Sequence, residues 1–254
     1  MRVDKAARGD YNAPRDETEA LRMDKDYMDL KAWLDETRDE PLEGMGAFFD
    51  ARIGDYEAHM SPWEKHYVWM AGLLPEGIET LLDIGCGTGL ELDCIFRRFP
   101  QLCVTGIDLS AEMLAQLRRK HGEKRLTLVR ADYFTHPLGE NCFDAAVSFE
   151  TLHHFTREKK TRLFERLRQA LRPGGVYLEC DYIAGTQAIE DLVFAESARR
   201  RARDGVAPEA FVHFDTPLTL EHEMQALRDA GFARVECVGF LPGDDHTPMI
   251  RAVK

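Results

Sequence analysis

Short apolar runs alternate with segments whose apolar residues recur at helical spacing, beginning near Glu79. Within these runs apolar and polar residues do not alternate, so both faces of each strand are expected to be buried, as in a parallel sheet covered by helices. The predicted strands are 80–85, 103–108, 126–130, 143–149 and 175–182, and the helices between them are 89–98, 110–120 and 157–171. This order predicts an α/β fold with a doubly wound sheet.

The C-terminal segment follows a different pattern. Residues 218–230 are amphipathic and end at Gly231, which predicts a helix, and two further strands are predicted at 233–240 and 247–253. The loop between these strands is far shorter than the dozen or more residues of a parallel crossover, so the two strands should pair antiparallel. We therefore predict a mostly parallel, seven-stranded sheet that ends in an antiparallel hairpin.

Residues 1–75 show no such alternation. The polar composition of residues 1–20 predicts a disordered tail. Residues 21–75 are expected to form a helical extension, here called the cover, which lies over the main domain, residues 76–254, as a lid. Residues 184–215 form an insertion after the fifth strand, where elements that bind a substrate can rise above the sheet edge.

Charge and composition exclude several classes of partner. The 254 residues carry a net charge of −12, whereas nucleic-acid binding needs clustered positive charge. We therefore read the basic stretch ARRRAR at 198–203 as a solvated helix face.

No apolar run approaches the roughly 20 residues of a membrane helix, and residues 1–30 lack a signal-peptide core. A cytoplasmic protein is expected, as a monomer or homodimer. The six cysteines have no Cys-x-x-Cys pair, so they are expected to be reduced, with no metal bound.

The stretch DIGCGTG at 83–89 places glycine at every second position between the first strand and its helix. Glycine weakens regular elements, so three of them indicate a turn that needs free dihedrals or a close approach of the backbone to a ligand. The dinucleotide pattern G-x-G-x-x-G would need glycine where Leu90 stands. Asp83 is a poor neighbour for a pyrophosphate but a good one for a cationic amine. The expected ligand is therefore nucleoside-like, with a positive end.

These residues resemble a known family. LLDIGCGTG followed by GIDLS is similar to the class I S-adenosylmethionine-dependent methyltransferases, over roughly residues 78–182 and the terminal helix and hairpin. The resemblance implies a Rossmann-like methyltransferase fold, S-adenosylmethionine as the cofactor, and in-line methyl transfer to a small-molecule acceptor. Residues 1–60 show no specific match to the family.

The resemblance also implies positions for the cofactor. Asp83 would lie near its amino group, Asp108 would accept hydrogen bonds from both ribose hydroxyls, and Asp132 would bind the adenine amino group. The full set implied by the family is Asp83, Gly85, Cys86, Gly87, Gly89, Asp108, Leu109, Asp132, Tyr133, Ser148 and Phe149. The N-terminal cover contains a cluster of aromatic residues at 48–69. From this cluster we add Tyr56 as a residue that contacts the cofactor.

The segment SFETLHHF at 148–155 supplies the candidates for catalysis. It follows the fourth predicted strand and faces the same rim of the sheet, so His153 and His154 are candidate general bases and Glu150 a residue that orients one of them or binds a cationic substrate. Asp181 and Tyr182, at the end of the fifth strand, share the rim. A histidine with its ordinary pKa predicts activity that falls as the pH drops through about 6–7.

Three other functions stay open at this point. A relative that forms carboxy-S-adenosylmethionine would need an arginine for the added carboxylate, which the stretch 198–203 could supply. A non-catalytic module would bind the cofactor and act through the acidic N-terminal segment on a protein partner. An NAD-dependent oxidoreductase is disfavoured because Leu90 stands where the dinucleotide pattern needs glycine, and because the sheet ends in an antiparallel hairpin.

Overall fold

The structure is a computed structural model, and it describes residues 17–207 and 209–254. The helices are α1 (Glu17–Glu36), α2 (Met45–Arg52), α3 (Tyr56–His59), α4 (Glu64–Leu73), α5 (Leu90–Arg98), α6 (Ala111–His121), α7 (Arg157–Ala170), α8 (Gln187–Asp204) and α9 (Leu220–Asp229). The strands are β1 (Glu43–Gly44), β2 (Thr80–Ile84), β3 (Cys103–Asp108), β4 (Leu126–Arg130), β5 (Phe143–Phe149), β6 (Leu171–Cys180), β7 (Val212–His213), β8 (Arg234–Gly239) and β9 (Met249–Val253). None of the helices in the described residues has both the length and the apolar character of a membrane span.

The main sheet confirms the predicted fold. Its seven strands run in the order β4-β3-β2-β5-β6-β9-β8, and the first five are parallel. Strand β9 pairs antiparallel with both β6 and β8, which forms the predicted terminal hairpin. The strand order reverses between β2 and β5, so a crevice is expected at their carboxyl ends, where open α/β sheets bind ligands.

Successive residues of the central strands pack into two separate apolar clusters, one on each face of the sheet. On β2, Leu82 and Ile84 belong to the cluster under α7 and α9, whereas Leu81 belongs to the cluster under α4 and α5. On β5, Ala146 faces the first cluster and Val147 the second. This burial on both sides explains why the strands are apolar runs without a polar face.

The N-terminal boundaries differ from the prediction. Helix α1 begins at Glu17, so residues 17–20 are helical rather than part of a disordered tail, and residues 1–16 lie outside the described residues. Helix α4, predicted as part of the cover, packs into the core: Tyr67, Met70 and Leu74 are buried in the cluster with α5. Apolar burial of this kind joins α4 to the main domain, so we place the end of the cover before α4.

The cover and the insertion form one layer. Strand β1 of the cover pairs antiparallel with β7 of the insertion, with Glu43 opposite His213 and Gly44 opposite Val212. Met45 continues this contact, since its backbone N–H donates to the carbonyl of Phe211 at 2.9 Å. The two segments that the sequence presents as separate additions are therefore paired with each other.

The basic stretch at 198–203 connects α8 to the cover. Arg200 is buried and donates to Thr37 Oγ1 at 2.9 Å and to the Leu34 carbonyl at 3.3 Å. Arg199 and Arg203 donate to the carbonyl of Arg38. These arginines hold α1 and the following loop against α8 and are only partly a solvated face.

Candidate functional site

The glycine turn uses the backbone conformations that only glycine adopts readily. Gly85, Gly87 and Gly89 have φ values of +69°, +47° and +73°. A Cβ on Gly85 would lie 2.1 Å from Thr151 Oγ1, so the turn after β2 packs directly on the chain after β5. A Cβ on Gly87 would instead lie 3.4 Å from the Tyr56 hydroxyl. The turn therefore lies under Tyr56, the residue of the cover that the sequence analysis selected.

Asp108 ends β3 beside this turn. Its Oδ2 accepts the Gly87 N–H at 3.0 Å and its Oδ1 accepts the Ser110 N–H at 2.8 Å. Burial raises the pKa of Asp108, and these backbone donors oppose that rise. A carboxylate oxygen accepts more than one hydrogen bond, so each oxygen of Asp108 keeps capacity for a further donor.

Asp83 and Glu91 form a buried acidic pair behind the turn. Asp83 Oδ2 and Glu91 Oε1 have no hydrogen-bond partner in the part of the chain that is described. Burial raises the pKa of both carboxyl groups, and the charge of Glu91 raises that of Asp83 further. The charge of Lys120 lowers the pKa of Glu91 in part, and a positively charged ligand beside the pair would favour the ionised form of both acids further. The sequence analysis missed Glu91, although an acid in the first turn after the glycines, in GLELD, was a visible signal.

A small cavity, here called the inner cavity, opens between the sheet edge and α2. Its volume is about 50 Å³. It is lined by Met45, Gly46, Phe49, Asp108, Leu109, Ser110, Tyr133, Glu150, Thr151, His154 and Phe211. The predicted site residues of β3, β4 and β5 thus converge on one space, and α2 covers it.

Other predicted cofactor residues lie elsewhere. The Ser148 hydroxyl is buried and hydrogen bonded to the Tyr177 hydroxyl at 2.6 Å, so it faces the core and is not part of the inner-cavity wall. The Phe149 ring packs against Tyr67, with centroids 4.6 Å apart. Asp132 accepts the Phe134 N–H at 2.7 Å and caps its own turn. Cys86 is buried, and burial raises the pKa of its thiol.

His153 is paired with Asp181. Its Nδ1 donates to Asp181 Oδ1 at 2.5 Å, and Asp181 Oδ2 accepts the Leu152 N–H at 2.7 Å. Burial lowers the pKa of His153, but the charge of Asp181 and its hydrogen bond outweigh burial and raise the pKa to about 9. At neutral pH His153 is therefore a cation held by Asp181, and it has no free lone pair to act as a base.

His154 has the opposite character. Burial, and then the charge of His153, lower its pKa below the ordinary value, so the imidazole is neutral at pH 7. Its Nδ1 lies 3.1 Å from Asp215 Oδ1, but outside hydrogen-bond geometry, so that nitrogen has no partner in the described chain. Burial raises the pKa of Asp215, but the contact with His154 and the charge of His153 lower it overall. Between the two histidines, His154 is the one able to accept a proton.

Glu150 occupies a strained position at the same rim. It has a φ of +46°, a left-handed conformation that is uncommon for residues other than glycine, and its N–H donates to the Cys180 carbonyl at 2.9 Å. Burial raises the pKa of its carboxyl group to about 8, although the charge of His153 opposes the rise. Backbone strain of this kind concentrates at functional sites. At neutral pH Glu150 is mostly protonated and can donate a hydrogen bond.

A larger space, here called the outer cavity, lies between α1, α8 and the segment after β7. Its volume is about 320 Å³, and His213 and Asp215 are part of its wall. The His213 ring stacks on Phe48 with centroids 3.5 Å apart and lies 5.1 Å from the His154 ring. His154 lines the inner cavity, and His213 and Asp215 line the outer one, so these three residues lie between the two cavities.

Comparison with known proteins places this arrangement in a family. Residues 81–175 match the family model described as a methyltransferase domain. The matched range includes the glycine turn, Asp108, Glu150 and both adjacent histidines. This match confirms the resemblance of the region to the class I S-adenosylmethionine-dependent methyltransferases.

Two relatives and one solved structure illustrate this similarity. An uncharacterised methyltransferase of Mycobacterium tuberculosis is 34% identical over 117 residues, which cover 45% of this chain and 57% of the relative. An O-methyltransferase of Penicillium expansum is 26% identical over 215 residues, covering 83% of this chain and 66% of the relative. The phosphoethanolamine N-methyltransferase 2 of Haemonchus contortus, solved in complex with S-adenosyl-L-methionine, has the same fold, with a TM-score of 0.54, 22% identity, and coverage of 76% of this chain and 52% of that one. The matches to the two relatives span less than two thirds of those proteins.

His213 and Asp215 were not among the residues predicted from the sequence. Both lie in the insertion, outside the residues that match the family model. A signal was present: in VHFD at 212–215 the apolar Val212 and Phe214 alternate with His213 and Asp215, which is typical of a strand with one polar face. The structure buries Val212 and Phe214 and directs His213 and Asp215 to the outer cavity.

Two sets of side chains in the described residues come close enough to hold a metal ion. They are His153 with His154 and Asp215, and Glu150 with His153 and Asp181, and the ligand atoms within each set lie within 4.8 Å of one another. His153 belongs to both sets, and in the second its Nδ1 is already hydrogen bonded to Asp181. The absence of a metal stays a prediction of the sequence.

Proposed function

We propose that this protein binds S-adenosylmethionine at the inner cavity and transfers its methyl group to a small molecule. The observation that carries the proposal is the convergence of the glycine turn, Asp108, Leu109 and Tyr133 at the carboxyl ends of adjacent parallel strands. Asp108 holds the Gly87 N–H and still offers an acceptor site on each oxygen. That arrangement fits the two neighbouring hydroxyls of a ribose.

The chemistry of the surrounding residues fits the rest of the cofactor. The unpartnered acids Asp83 and Glu91 suit its amino group, and the inner-cavity walls at Leu109 and Tyr133 suit the adenine. The volume of about 50 Å³ holds only water-sized molecules, however. Met45 and Phe49 of α2 close the space, so cofactor binding requires α2 to move outward.

When bound, the cofactor supplies an electrophilic methyl group on a sulfonium centre. Methyl transfer depends mainly on the alignment of the acceptor atom, the methyl carbon and the sulfur. The chain provides this alignment by holding the reactants between the sheet edge and the cover. The neutral His154 accepts the proton that leaves the acceptor, and His153 stays charged beside Asp181. The protonated Glu150 donates a hydrogen bond at the rim. The layer formed by α2 and β7 excludes water from this space.

The alternatives have less support. For a carboxylated cofactor, no arginine of the stretch 198–203 lines the inner cavity among the described residues, and Arg199 and Arg200 are engaged by Glu196. For a dinucleotide, Leu90 begins α5 where the pattern would need glycine. A non-catalytic module would bind the cofactor without turnover.

Calorimetry with S-adenosylmethionine, its demethylated product and NAD tests the proposal. We expect the first two to bind and Asp108→Ala to weaken them at least tenfold, because hydrogen bonds to a charged acceptor contribute about 1.5–3 kcal/mol each. Asp108→Asn keeps one acceptor oxygen and should lose less. Asp229→Ala, which removes an exposed carboxylate, is the matched control. Binding of NAD alone, or unchanged affinity in Asp108→Ala, would overturn the assignment.

A further inference from the structure

The outer cavity adjoins the inner cavity, and the two cavities share no lining residue. It lies between α1, α8 and residues 213–217, and it is separated from the inner cavity by His154 and Asp215 and by α2, whose Phe49 lines the inner cavity and whose Phe48 lines the outer one. We infer that the outer cavity is the methyl-acceptor site and that it takes an uncharged, mainly apolar molecule bearing a hydroxyl group. The inference rests on the proposed function and specifies its substrate class.

The side chains that line the outer cavity favour an apolar acceptor. Trp33, Phe48, Tyr182 and Phe214 supply aromatic faces, and Val193 and other aliphatic side chains complete the lining. Trp33 is 52% exposed and stands at the mouth, where a large apolar side chain in contact with water is unusual. The volume of about 320 Å³ lies in the range of small-molecule sites.

The charges around the cavity exclude an anionic acceptor. Both arginines of the lining have carboxylate partners: Arg52 donates to both oxygens of Glu43 at 3.0–3.1 Å, and Arg200 donates to Glu196 at 2.8 Å. A carboxylate or phosphate would find neither arginine free and would face the anionic Asp215. Burial of an unpaired charge costs far more than burial of a neutral hydroxyl.

The same electrostatics disfavour a cationic amine. The charge of Asp215 is compensated by His153, whose Nε2 lies 3.6 Å from Asp215 Oδ1 and which is a cation at neutral pH. At this end of the cavity a cationic amine would find Asp215 paired with His153, and Glu43 is paired with Arg52. An uncharged hydroxyl adds no charge to these pairs.

The position of the hydroxyl group agrees with the chemistry. At the end of the outer cavity formed by His213 and Asp215, a hydroxyl lies next to the wall that His154 shares with the inner cavity. Helix α2 lines both cavities and moves outward when the cofactor binds, which brings the hydroxyl and the methyl group into one space. There an oxygen–carbon bond forms while the carbon–sulfur bond of the methyl donor breaks, and the electron pair of that bond stays on sulfur. The hydroxyl proton goes to the neutral imidazole of His154, so atoms and charge balance.

A matched ligand series tests the substrate class. 2-Naphthol, 2-naphthoic acid and 2-(aminomethyl)naphthalene share one apolar body and differ in the polar group. With the demethylated cofactor present, we expect calorimetry to show naphthol binding at least tenfold tighter than the acid or the amine. With S-adenosylmethionine, naphthol should be converted to its methyl ether. Binding of the acid or amine as tight as that of naphthol, or no binding by any of the three, would overturn the inference.

Filling the cavity tests the location. Val193→Phe adds volume inside the outer cavity, and Val68→Phe makes the same change at an exposed position of α4. We expect Val193→Phe to weaken naphthol binding more than tenfold and to leave the affinity for the demethylated cofactor within twofold, while Val68→Phe changes neither. Trp33→Ala, at the exposed mouth, gives a second variant if Val193→Phe does not fold.

The outcomes separate the two proposals. If the cofactor and its product do not bind, the proposed function fails. If they bind and naphthol affinity is unchanged in both Val193→Phe and Trp33→Ala, the cofactor assignment stands and the acceptor site lies elsewhere.

Discussion

Gly87 and Gly174 both have left-handed backbones, with φ values of +47° and +77°, but only Gly87 faces the site. A Cβ at Gly174 would meet open space, and one at Gly87 would point toward Tyr56, where the cofactor is proposed to pass. We expect alanine at either position to cost about 1–2 kcal/mol of stability through backbone strain. Only Gly87→Ala should also weaken S-adenosylmethionine binding, by at least tenfold in calorimetry. Equal affinities in the two variants would show that the turn does not contact the cofactor.

The pH dependence of turnover separates the two histidines. A base must be neutral, and the pKa of His154 is lowered, so activity should fall only as the pH drops through a value below 6.5. This replaces the fall through pH 6–7 that an unperturbed histidine predicts, because burial, and then the charge of His153, lower the pKa of His154. Asp181→Asn removes the group that keeps His153 charged, so the pKa of His154 should rise and the acid limb should move to higher pH.

The test is the profile of kcat against pH for the wild type, Asp181→Asn and His154→Gln. We expect His154→Gln to lose the acid limb together with about 10²–10⁴-fold in rate. An acid limb that stays in place in Asp181→Asn would mean that His153 does not set the charge at His154. Unchanged rates in His154→Gln would show that His154 is not a general base and that the alignment of the reactants accounts for the catalysis.

Single residues differed in how far the sequence could predict them. The place of Asp108 and Tyr133 in the inner-cavity wall follows from the sequence because Asp108 ends β3 and Tyr133 follows β4, and the carboxyl ends of parallel strands meet at one edge; their roles toward the cofactor stay predictions. Ser148 also ends a strand, but the alternation of side chains along β5 directs it to the core and to Tyr177. Asp215 could not be assigned, because its contact with His154 joins residues 61 positions apart.

At the scale of secondary elements, α7, α9 and β6 meet at a buried charged group. Lys160 Nζ lies 2.5 Å from Glu223 Oε2, and both oxygens of the neighbouring Glu179 lack partners within the described residues. Burial, and then the charge of Glu223, raise the pKa of Glu179 well above its ordinary value. One cation thus faces two acids, and the fold keeps Glu179 protonated.

This group predicts a pH-dependent stability. The protonated Glu179 contributes its full stability below the unfolded-state pKa of 4.5, and the contribution is lost as the pH rises toward the folded-state pKa. Glu179→Gln is neutral at every pH, so relative to it the wild type should lose about 1.4 kcal/mol per pH unit above 4.5. Melting temperatures of the wild type, Glu179→Gln and the exposed control Glu221→Gln from pH 4.5 to 8 give the comparison. Parallel curves for all three would contradict the assigned protonation state.

The elements of the sheet were predictable because each depends on a local pattern. Strands β3, β4 and β5 have the predicted bounds, and β8 and β9 pair antiparallel because their loop is short. Strand β6 starts at Leu171 rather than 175, because Leu171, just before the RPGG segment, already pairs with Phe143 of β5. Helix α4 was assigned to the cover because a helical pattern does not say which surface the helix packs on.

At the scale of the whole molecule, the joining of cover and insertion is the feature that the sequence does not show. The β1–β7 pair and the contact of Arg200 with Thr37 connect residues more than 160 positions apart. Local periodicity carries no information about such contacts. The joined layer nevertheless forms the lining of the outer cavity and the lid of the inner one, so the acceptor site depends on the part of the fold that could not be predicted.

Successive truncations test whether this layer divides the two binding tasks. A chain starting at Thr37 lacks α1, and so Trp33 and Leu34 of the outer cavity, but keeps α2 and Tyr56. A chain starting at Ser61 also lacks α2 and Tyr56 but keeps the core helix α4. Relative to a chain starting at Glu17, we expect the first to bind S-adenosylmethionine normally and to lose at least tenfold in naphthol binding.

The chain starting at Ser61 should keep the cooperative unfolding of the sheet, because Tyr67 and Met70 of α4 remain in its core. Its affinity for S-adenosylmethionine should fall, since Met45, Phe49 and Tyr56 no longer cover the glycine turn and the inner cavity. Calorimetry and thermal unfolding on all three chains give the comparison. Equal cofactor affinity in the chains starting at Thr37 and Ser61 would show that α2 and Tyr56 are not a lid, and loss of naphthol binding only on removal of α2 would place the acceptor against α2 instead of α1.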